Sequence, residues 1–375
     1  MQPWNYSNEI LEIKNVPFYW RLKENSSEHH ILPSNMDFRF ALNKEFGYFE
    51  YRLSEYEKNM ISSAYKENEN IGFMKLDSGQ IGTYGASSNN FFVNIAKKYR
   101  PKDILEIGCG SGLTIVELNK NGFFAEGIDP SEYSKKCSNE FRFPLIEGFF
   151  PIALGDKKYD MIFCNDVYEH VFNVFEFSKE VFNSLREDGI FCISTTNSTK
   201  SIKIGDISML EHQHVNMFTD YSIDKILRAV GFNHVEITKG TYGNTLQVSA
   251  RRSKLSNNFN EMTEIDTRLF FEKAVKNIEK FGTFYKKYEN VGFYVPLRSF
   301  GYMATVNAHN NMIYDSNKSW HNKYIDGYSK PISNPIEISS NKPDAIFVGS
   351  LTFFDEIKET CKKFGITEVF SIEEL

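Results

Sequence analysis

Between Asn89 and Arg252 the chain alternates short apolar runs with stretches whose apolar residues recur at helical spacing. The runs at 104–107, 125–128, 161–164 and 190–194 predict buried strands. Between them, positions such as Phe175, Val181, Phe182 and Leu185 share one helical face. Strands alternating with helices predict an α/β fold, a parallel sheet with helices on both faces. The end of this stretch differs. Residues 220–230 predict a helix, and 234–238 and 245–250 predict two strands split by a glycine-containing turn, an antiparallel closing pair.

The patterning on either side is less regular. Residues 1–84 read as a small N-terminal module, with a strand at 46–51 and a helix at 54–64. Ser54 and Glu57 stand at capping-box spacing. The central domain is expected to span 85–252. A polar linker at 251–258 and a charged helix at about 266–281 fill 253–290. Residues 291–375 predict a second, smaller α/β domain, with strands at 293–297, 312–314, 345–348 and 369–371 and a helix at 354–364.

Composition narrows the function classes. A chain of 375 residues can hold more than one domain. The net charge is -6 and no long basic run occurs, which argues against a nucleic-acid partner. No apolar segment is long enough to span a bilayer, and no signal peptide is evident, so no membrane partner is expected. The five cysteines form no C-x-x-C pair, which argues against a zinc framework and suits a reducing cytoplasm. The 34 Phe and 20 Tyr read first as core filling. A monomer or homodimer is expected.

Candidate chemistry collects where the predicted strands end, since ligands of such sheets bind beyond the carboxyl ends of the strands. Glu106-Ile107-Gly108-Cys109-Gly110-Ser111-Gly112 closes the first strand and opens a helix. Gly108, Gly110 and Gly112 let the backbone pass close to a ligand. The spacing is neither a dinucleotide fingerprint nor a P-loop. It resembles motif I of class I S-adenosyl-L-methionine (SAM) dependent methyltransferases. Asp129, before Pro130 at the end of the second strand, can accept both hydroxyls of a ribose. Gly148 and Phe149 follow a further short strand between those at 125–128 and 161–164, the third in chain order, where an adenine would sit. Asn165, Glu169 and His170 follow the fourth and should face the transferred methyl. His212, Gln213 and His214 follow the fifth. An H-x-H pair can ligate a metal, but three firm protein ligands are not evident. No metal is expected, and a histidine acting as general base is the simpler reading.

Further segments extend the resemblance to the three-part bacterial sugar methyltransferases typified by nucleotide-sugar C-methyltransferases. These are Asn165-Asp166-Val167-Tyr168-Glu169-His170-Val171, His212-Gln213-His214-Val215-Asn216-Met217-Phe218 and Thr241-Tyr242-Gly243-Asn244-Thr245-Leu246. Ile313-Tyr314-Asp315-Ser316-Asn317 and Pro331-Ile332-Ser333-Asn334-Pro335 are similar to the C-terminal domain of that family. The resemblance implies a substrate module, a SAM-binding Rossmann-like sheet and a second Rossmann-like α/β domain. It implies that Glu106, Gly108, Gly110, Gly112, Asp129, Pro130, Gly148, Phe149 and Asn165 bind SAM. His214 would be the base, with Gln213 and His212 beside it. Tyr84, Glu169, His170, Asn165 and Asn244 would line a nucleotide-sugar pocket.

The departures have consequences. The N-terminal region lacks the family's zinc-binding cysteines. Pro296-Leu297-Arg298-Ser299-Phe300-Gly301 replaces the C-terminal Gly-x-Gly loop, and Gln213 and Met217 replace a Glu and a Tyr. Losing those polar partners favours O-methylation of a sugar hydroxyl, with a capsular-polysaccharide heptose as the specific expectation. C-methylation of a keto-sugar nucleotide and a non-catalytic SAM-binding scaffold are the alternatives.

Overall fold

A computed structural model describes residues 2–18, 22–25, 32–67, 83–241, 243–253 and 266–375. The N-terminal part is an antiparallel meander of β1 (Trp4–Ser7), β2 (Ile10–Pro17), β3 (Asn35–Asn43) and β4 (Tyr48–Tyr51). Buried and partly exposed residues alternate along β2 and β3, as a sheet with one covered face requires. Helix α1 (Glu55–Glu67) follows, and α2 (Thr83–Tyr99) leads into the central domain. The capping box at the start of α1 is formed. The Ser54 backbone N–H donates to the Glu57 carboxylate at 2.7 Å, and the Glu57 N–H donates to Ser54 Oγ at 3.3 Å.

The central domain runs β5 (Asp103–Ile107), α3 (Leu113–Lys120), β6 (Phe124–Asp129), α4 (Glu132–Phe141), β7 (Leu145–Glu147) and β8 (Tyr159–Asn165). It continues through α5 (Val174–Ser184), β9 (Leu185–Thr196), α6 (Thr199–Ile204), β10 (Asn216–Met217), α7 (Asp220–Val230), β11 (His234–Lys239) and β12 (Thr245–Arg251). The sheet order is β11-β12-β9-β8-β5-β6-β7. Strands β5 to β9 are mutually parallel, and β12 runs antiparallel to β9 and β11. One face buries Leu105, Ile162 and Phe191 against Val181 of α5 and Ile223 and Leu227 of α7. The other buries Ile104, Met161 and Phe163 against Phe92 of α2 and Ile115 and Leu118 of α3. This is the α/β class I methyltransferase architecture that the sequence resemblance implies.

Helix α8 (Phe270–Lys287) leads to β13 (Val291–Tyr294), α9 (Pro296–Thr305), β14 (Ile313–Tyr314), β15 (Ile332–Ser333), α10 (Ile338–Asn341), β16 (Ala345–Val348), α11 (Phe354–Lys363) and β17 (Val369–Phe370). These five strands form an all-parallel sheet in the order β15-β14-β13-β16-β17. The strand expected at 293–297 is corrected, because Leu297 lies in α9. Pro296 stands in the first turn of that helix, where its missing N–H has no partner to lose. Of the expected linker, residues 254–258 lie outside the described residues.

The boundaries expected at 84 and 252 are crossed by structure. β10, from the central domain, pairs with β4 and completes the N-terminal sheet as its fifth strand. The N-terminal sheet, α8 and one face of the C-terminal sheet also share a single core, which includes Phe38, Phe40, Phe49, Phe270, Phe281, Phe293 and Phe347. Fully burying each such ring contributes on the order of 2 kcal/mol. A buried ion pair adds a second tie, with Lys23 Nζ 2.8 Å from Asp326 Oδ1 and Ser34 Oγ donating to Asp326 Oδ2. No helix among the described residues is long and apolar enough to cross a membrane.

Candidate active site

A cavity of about 490 Å³ opens at the carboxyl ends of β5, β6 and β8, within the range of small-molecule sites. Its wall includes Gly108, Gly110, Ser111, Asp129, Pro130, Gly148, Phe149 and His170 from the sequence expectations and their neighbours. The loop between β5 and α3 shapes one side. Gly108 has φ +67°, and a Cβ there would lie 2.6 Å from Val167 Cγ2. Gly112 has φ +68°, and its Cβ would lie 2.1 Å from the Phe143 ring. Gly110 differs, because a Cβ there would meet nothing within 4 Å. Its backbone N–H donates to Asp129 Oδ2 at 3.0 Å. Asp129 Oδ1 accepts from the Ser131 N–H at 2.9 Å and from its hydroxyl at 2.6 Å. The Asp129 side chain thus ties the end of β6 to the glycine loop and to the start of α4.

Glu106 lies behind that loop rather than on the cavity wall. Its Oε2 is buried with no hydrogen-bond partner, and burial, reinforced by the Asp129 charge, raises its carboxyl well above the usual range. An open glycine loop beside an ordered Asp129 leaves room for a ribose-bearing ligand, and the unpartnered Glu106 Oε2 behind it is a buried acceptor that calls for a donor. Gly108, Gly110 and Asp129 stand on the wall where SAM would fit, with Glu106 buried behind them. Phe149, Phe150 and Phe177 line the same cavity and supply apolar surface for a base.

The remaining candidates fall in different places. Asn165 ends β8 off the wall, its Nδ2 donating to Asp166 Oδ2 at 3.0 Å, while Asp166 itself lines the cavity. Asn244 is turned away as a substrate residue. Its backbone carbonyl accepts from the Asn197 N–H at 2.8 Å and its amide donates back to the Asn197 carbonyl. Tyr84 belongs to α2, and its side chain, like Tyr242, lies outside the described residues.

His212 is likewise placed away from the cavity. The chain bends at His212 and Gln213, so His212 and His214 do not share one side as they would in an extended strand. His212 packs among Phe18, Phe38 and Tyr51, and its Nε2 donates to the Met36 carbonyl at 3.2 Å. Burial lowers its pKa to about 4. It is a core residue of the N-terminal sheet. The Gln213 side chain is buried off the wall as well, but its backbone carbonyl accepts from His170 Nδ1 at 2.6 Å.

That hydrogen bond fixes a tautomer. A carbonyl only accepts, so Nδ1 of His170 carries a hydrogen, and in the neutral ring Nε2 keeps the lone pair. The Tyr65 hydroxyl lies 2.8 Å from the same Nδ1. The His214 ring stands edge-on to His170, with centroids 4.8 Å apart. Burial first, then the His170 and Arg298 charges, drive the His214 pKa well below its usual value. Glu169, expected only as a substrate contact, joins the two rings. One donor atom from each of Glu169, His170 and His214 lies within 4.8 Å of the others. Sequence spacing signalled none of this trio as a unit, nor the wall residues Tyr65, Asp166 and Phe172.

Residues 89–237 match the family model described as a methyltransferase domain. Over 194 residues the chain is 24% identical to a ubiquinone biosynthesis O-methyltransferase of Rickettsia conorii, covering 49% of this chain and 66% of that protein. It is 31% identical over 116 residues to the protein of the same name from Rickettsia bellii, covering 29% and 48%. The chain thus spans between about half and two thirds of the length of these relatives. A possible histamine N-methyltransferase of Thermotoga maritima superposes with a TM-score of 0.36 at 15% identity, covering 44% of this chain and 89% of that one. The match to a methyltransferase domain falls on the central parallel sheet and its helices, the part of the chain that holds the cavity.

Proposed function

We propose that the protein is a SAM-dependent O-methyltransferase whose acceptor is a hydroxyl of a nucleotide-activated sugar, with a heptose destined for capsular polysaccharide as the specific candidate. The observation that carries this reading is the position of His170. It lines the same cavity as Gly108 and Gly110 of the glycine loop, and it brings Glu169 and His214 with it. When bound, SAM supplies an electrophilic methyl on a sulfonium centre. The chain's part is to hold an oxygen in line with that methyl and to relieve it of its proton. Glu106, Gly110 and Asp129 serve the first half of the site. Glu169, His170 and His214 are the groups gathered for the second.

A second groove of about 680 Å³ supports a polar acceptor larger than a single ring. It is lined by Arg39, Glu50, Arg52, Tyr56 and Lys58 of the N-terminal module, and it shares Phe172 with the cofactor cavity. Its charges are paired, Arg39 with Glu57 and Arg52 with Glu50 at 3.0 Å. Arg52 is the more exposed cation, and its pair exchanges partners at little cost, so a diphosphate could be received there. Transfer to oxygen rather than carbon is in keeping with the printed names of the Rickettsia relatives. The five cysteines are all buried free thiols, in keeping with a cytoplasmic protein.

The test is incubation with methyl-deuterated SAM and a panel of nucleotide sugars, heptoses included, followed by mass spectrometry and NMR. A label on a sugar oxygen supports the reading. A label on carbon replaces it with C-methylation. Label transferred only to phenolic acceptors overturns the sugar assignment, and cofactor binding with no transfer to any acceptor turns the reading to a scaffold.

A further inference from the structure

Three side chains that meet where His170 enters the cavity wall are incompletely satisfied. Glu169 is 1% exposed and sits in a short turn, Tyr168–His170, directly after β8. Its Oε2 accepts from the Thr195 hydroxyl at 2.7 Å, but its Oε1 is buried with no partner. Nδ1 of His214 is also buried with no partner, although the His214 side chain is 13% exposed. Its Nε2 is 3.9 Å from Glu211 Oε2, beyond hydrogen-bond reach. A buried acceptor left without a donor is destabilising by about 1–3 kcal/mol. Two beside one another, with the free nitrogen of His170 a third, make a pocket of lone pairs.

The scaffold fixes these groups from three directions. Asn216 Nδ2 donates to the Val171 carbonyl at 2.7 Å, tying the turn that carries Glu169 and His170 to β10. β10 is held in turn by β4, and the Tyr51 N–H donates to the Val215 carbonyl at 2.8 Å, next to His214. Thr195 on β9 orients Glu169, and the Gln213 carbonyl orients His170. A histidine donating its second nitrogen to a backbone carbonyl and a carboxylate held by a hydroxyl are the outer supports that metal ligands use. The nearest cation, Arg298, is occupied by Glu211 at 3.0 Å.

We infer that Glu169, His170 and His214 bind a divalent first-row transition cation, whose open positions take oxygen donors of the acceptor at the end of the cofactor cavity. Two imidazoles and one carboxylate are three protein ligands, the number that leaves positions open for a substrate. Imidazole and carboxylate together suit zinc or manganese better than magnesium or calcium. Ligands at about 2.0–2.1 Å from a tetrahedral ion stand about 3.3 Å apart. The present separation of up to 4.8 Å is therefore closed by small rotations of the Glu169 and His214 side chains. The ligands must also be unprotonated to bind. The part played by the acceptor rests on the proposed methyl transfer, whereas occupancy of the site by a cation does not.

The full chain, stripped with chelator and dialysed, would be titrated with Zn²⁺ by calorimetry and with Mn²⁺ by electron paramagnetic resonance. One equivalent is expected. Glu169→Gln and His214→Ala should each weaken binding at least tenfold, while His234→Ala, at a distant surface histidine, should not change it. Retained S-adenosylhomocysteine binding shows that a variant is folded. A variant that fails to fold is replaced by Thr195→Val, for which roughly tenfold weaker binding is expected. No stoichiometric binding, or binding that survives both ligand changes, overturns the inference in favour of a direct Glu169–His214 hydrogen bond. Methyl transfer that persists in the chelated protein sinks the inference and leaves the proposed function intact. One bound equivalent that is lost in the variants, with no methyl transfer, upholds the cation and sinks the proposed function.

Discussion

The chain contains two parallel sheets of related design, and they differ where strand meets helix. In the central sheet, β5 passes into α3 through Gly108, Gly110 and Gly112, all at positive φ, and Asp129 receives the Gly110 N–H. In the C-terminal sheet, β13 passes into α9 through Val295, at φ 60°, and Pro296. A valine in the left-handed region is strained, and proline offers no N–H to a ligand. Ser299 turns its hydroxyl back onto the Val295 carbonyl at 3.1 Å, and Gly349 closes against the same residue, where a Cβ would lie 2.6 Å from Ser299 Oγ. The first crossing leaves room for a ligand, whereas the second is filled by protein. α9 looks outward instead. Arg298 reaches Glu211, and Tyr302 donates to the buried Asp206 at 3.2 Å, beside the loop that carries His214. Sheet order alone does not make a binding site; a few residues at one turn decide whether the sheet holds a ligand or braces a neighbour.

The largest test of this contrast is Gly112→Ala. The left-handed backbone and the clash with Phe143 together should destabilise the protein by about 4 kcal/mol, read by denaturant unfolding. An unchanged midpoint would mean that the glycine loop is not constrained as described.

On the bracing side, Lys23→Met leaves Asp326 buried without its cation and should be destabilising by about 3 kcal/mol. Burial pushes the Asp326 carboxyl up, but hydrogen bonds from Lys23 and Ser34 outweigh it and hold it below its ordinary value of 3.8. The pair's stabilisation is then fully present above that value and is lost as pH falls through the lower folded-state pKa. Unfolding curves of wild type and Lys23→Met should therefore converge in acid. Curves that stay parallel down to pH 3 would contradict the pairing.

Asp129→Asn keeps the shape and removes the charge. S-adenosylhomocysteine affinity should fall about 30-fold, about 2 kcal/mol, with little change in melting temperature. The smallest effect is expected at the filled crossing, where Val295→Gly relieves the left-handed strain and should stabilise by about 1 kcal/mol. Gain of dinucleotide binding by that variant, seen by fluorescence titration, would show the loop rather than the whole crossing to be the barrier.

The central sheet was legible because its inner strands carry apolar runs such as 161–164, ended by Asn165, and 190–193. Asp129 and the glycine loop could be read for the same reason, since their roles are set within a few residues of sequence. β10 could not be read. It is two residues long, and it is a strand only because β4 offers an edge to it. The error over His212 has the same origin, because the bend at His212 and Gln213 is imposed by the N-terminal sheet on which the segment docks. Glu169 looked like a loop acid because its company, Thr195 and His214, is assembled by the tertiary fold. The strand expected to reach Leu297 ignored a local cue, the proline that starts α9.

The short pairing of β10 with β4 also sets an order of events during synthesis. Residues 4–51 emerge from the ribosome early, yet their sheet is completed only by residues 216–217, and Lys23 waits for Asp326. This early segment is finished only after the later ones that complete it. Until then it exposes the edge of β4 and the aromatic face that later joins the shared core, the kind of surface on which chaperones act. Vectorial synthesis thus places the cost of this architecture on the nascent chain, which carries an open sheet through the production of the whole central domain.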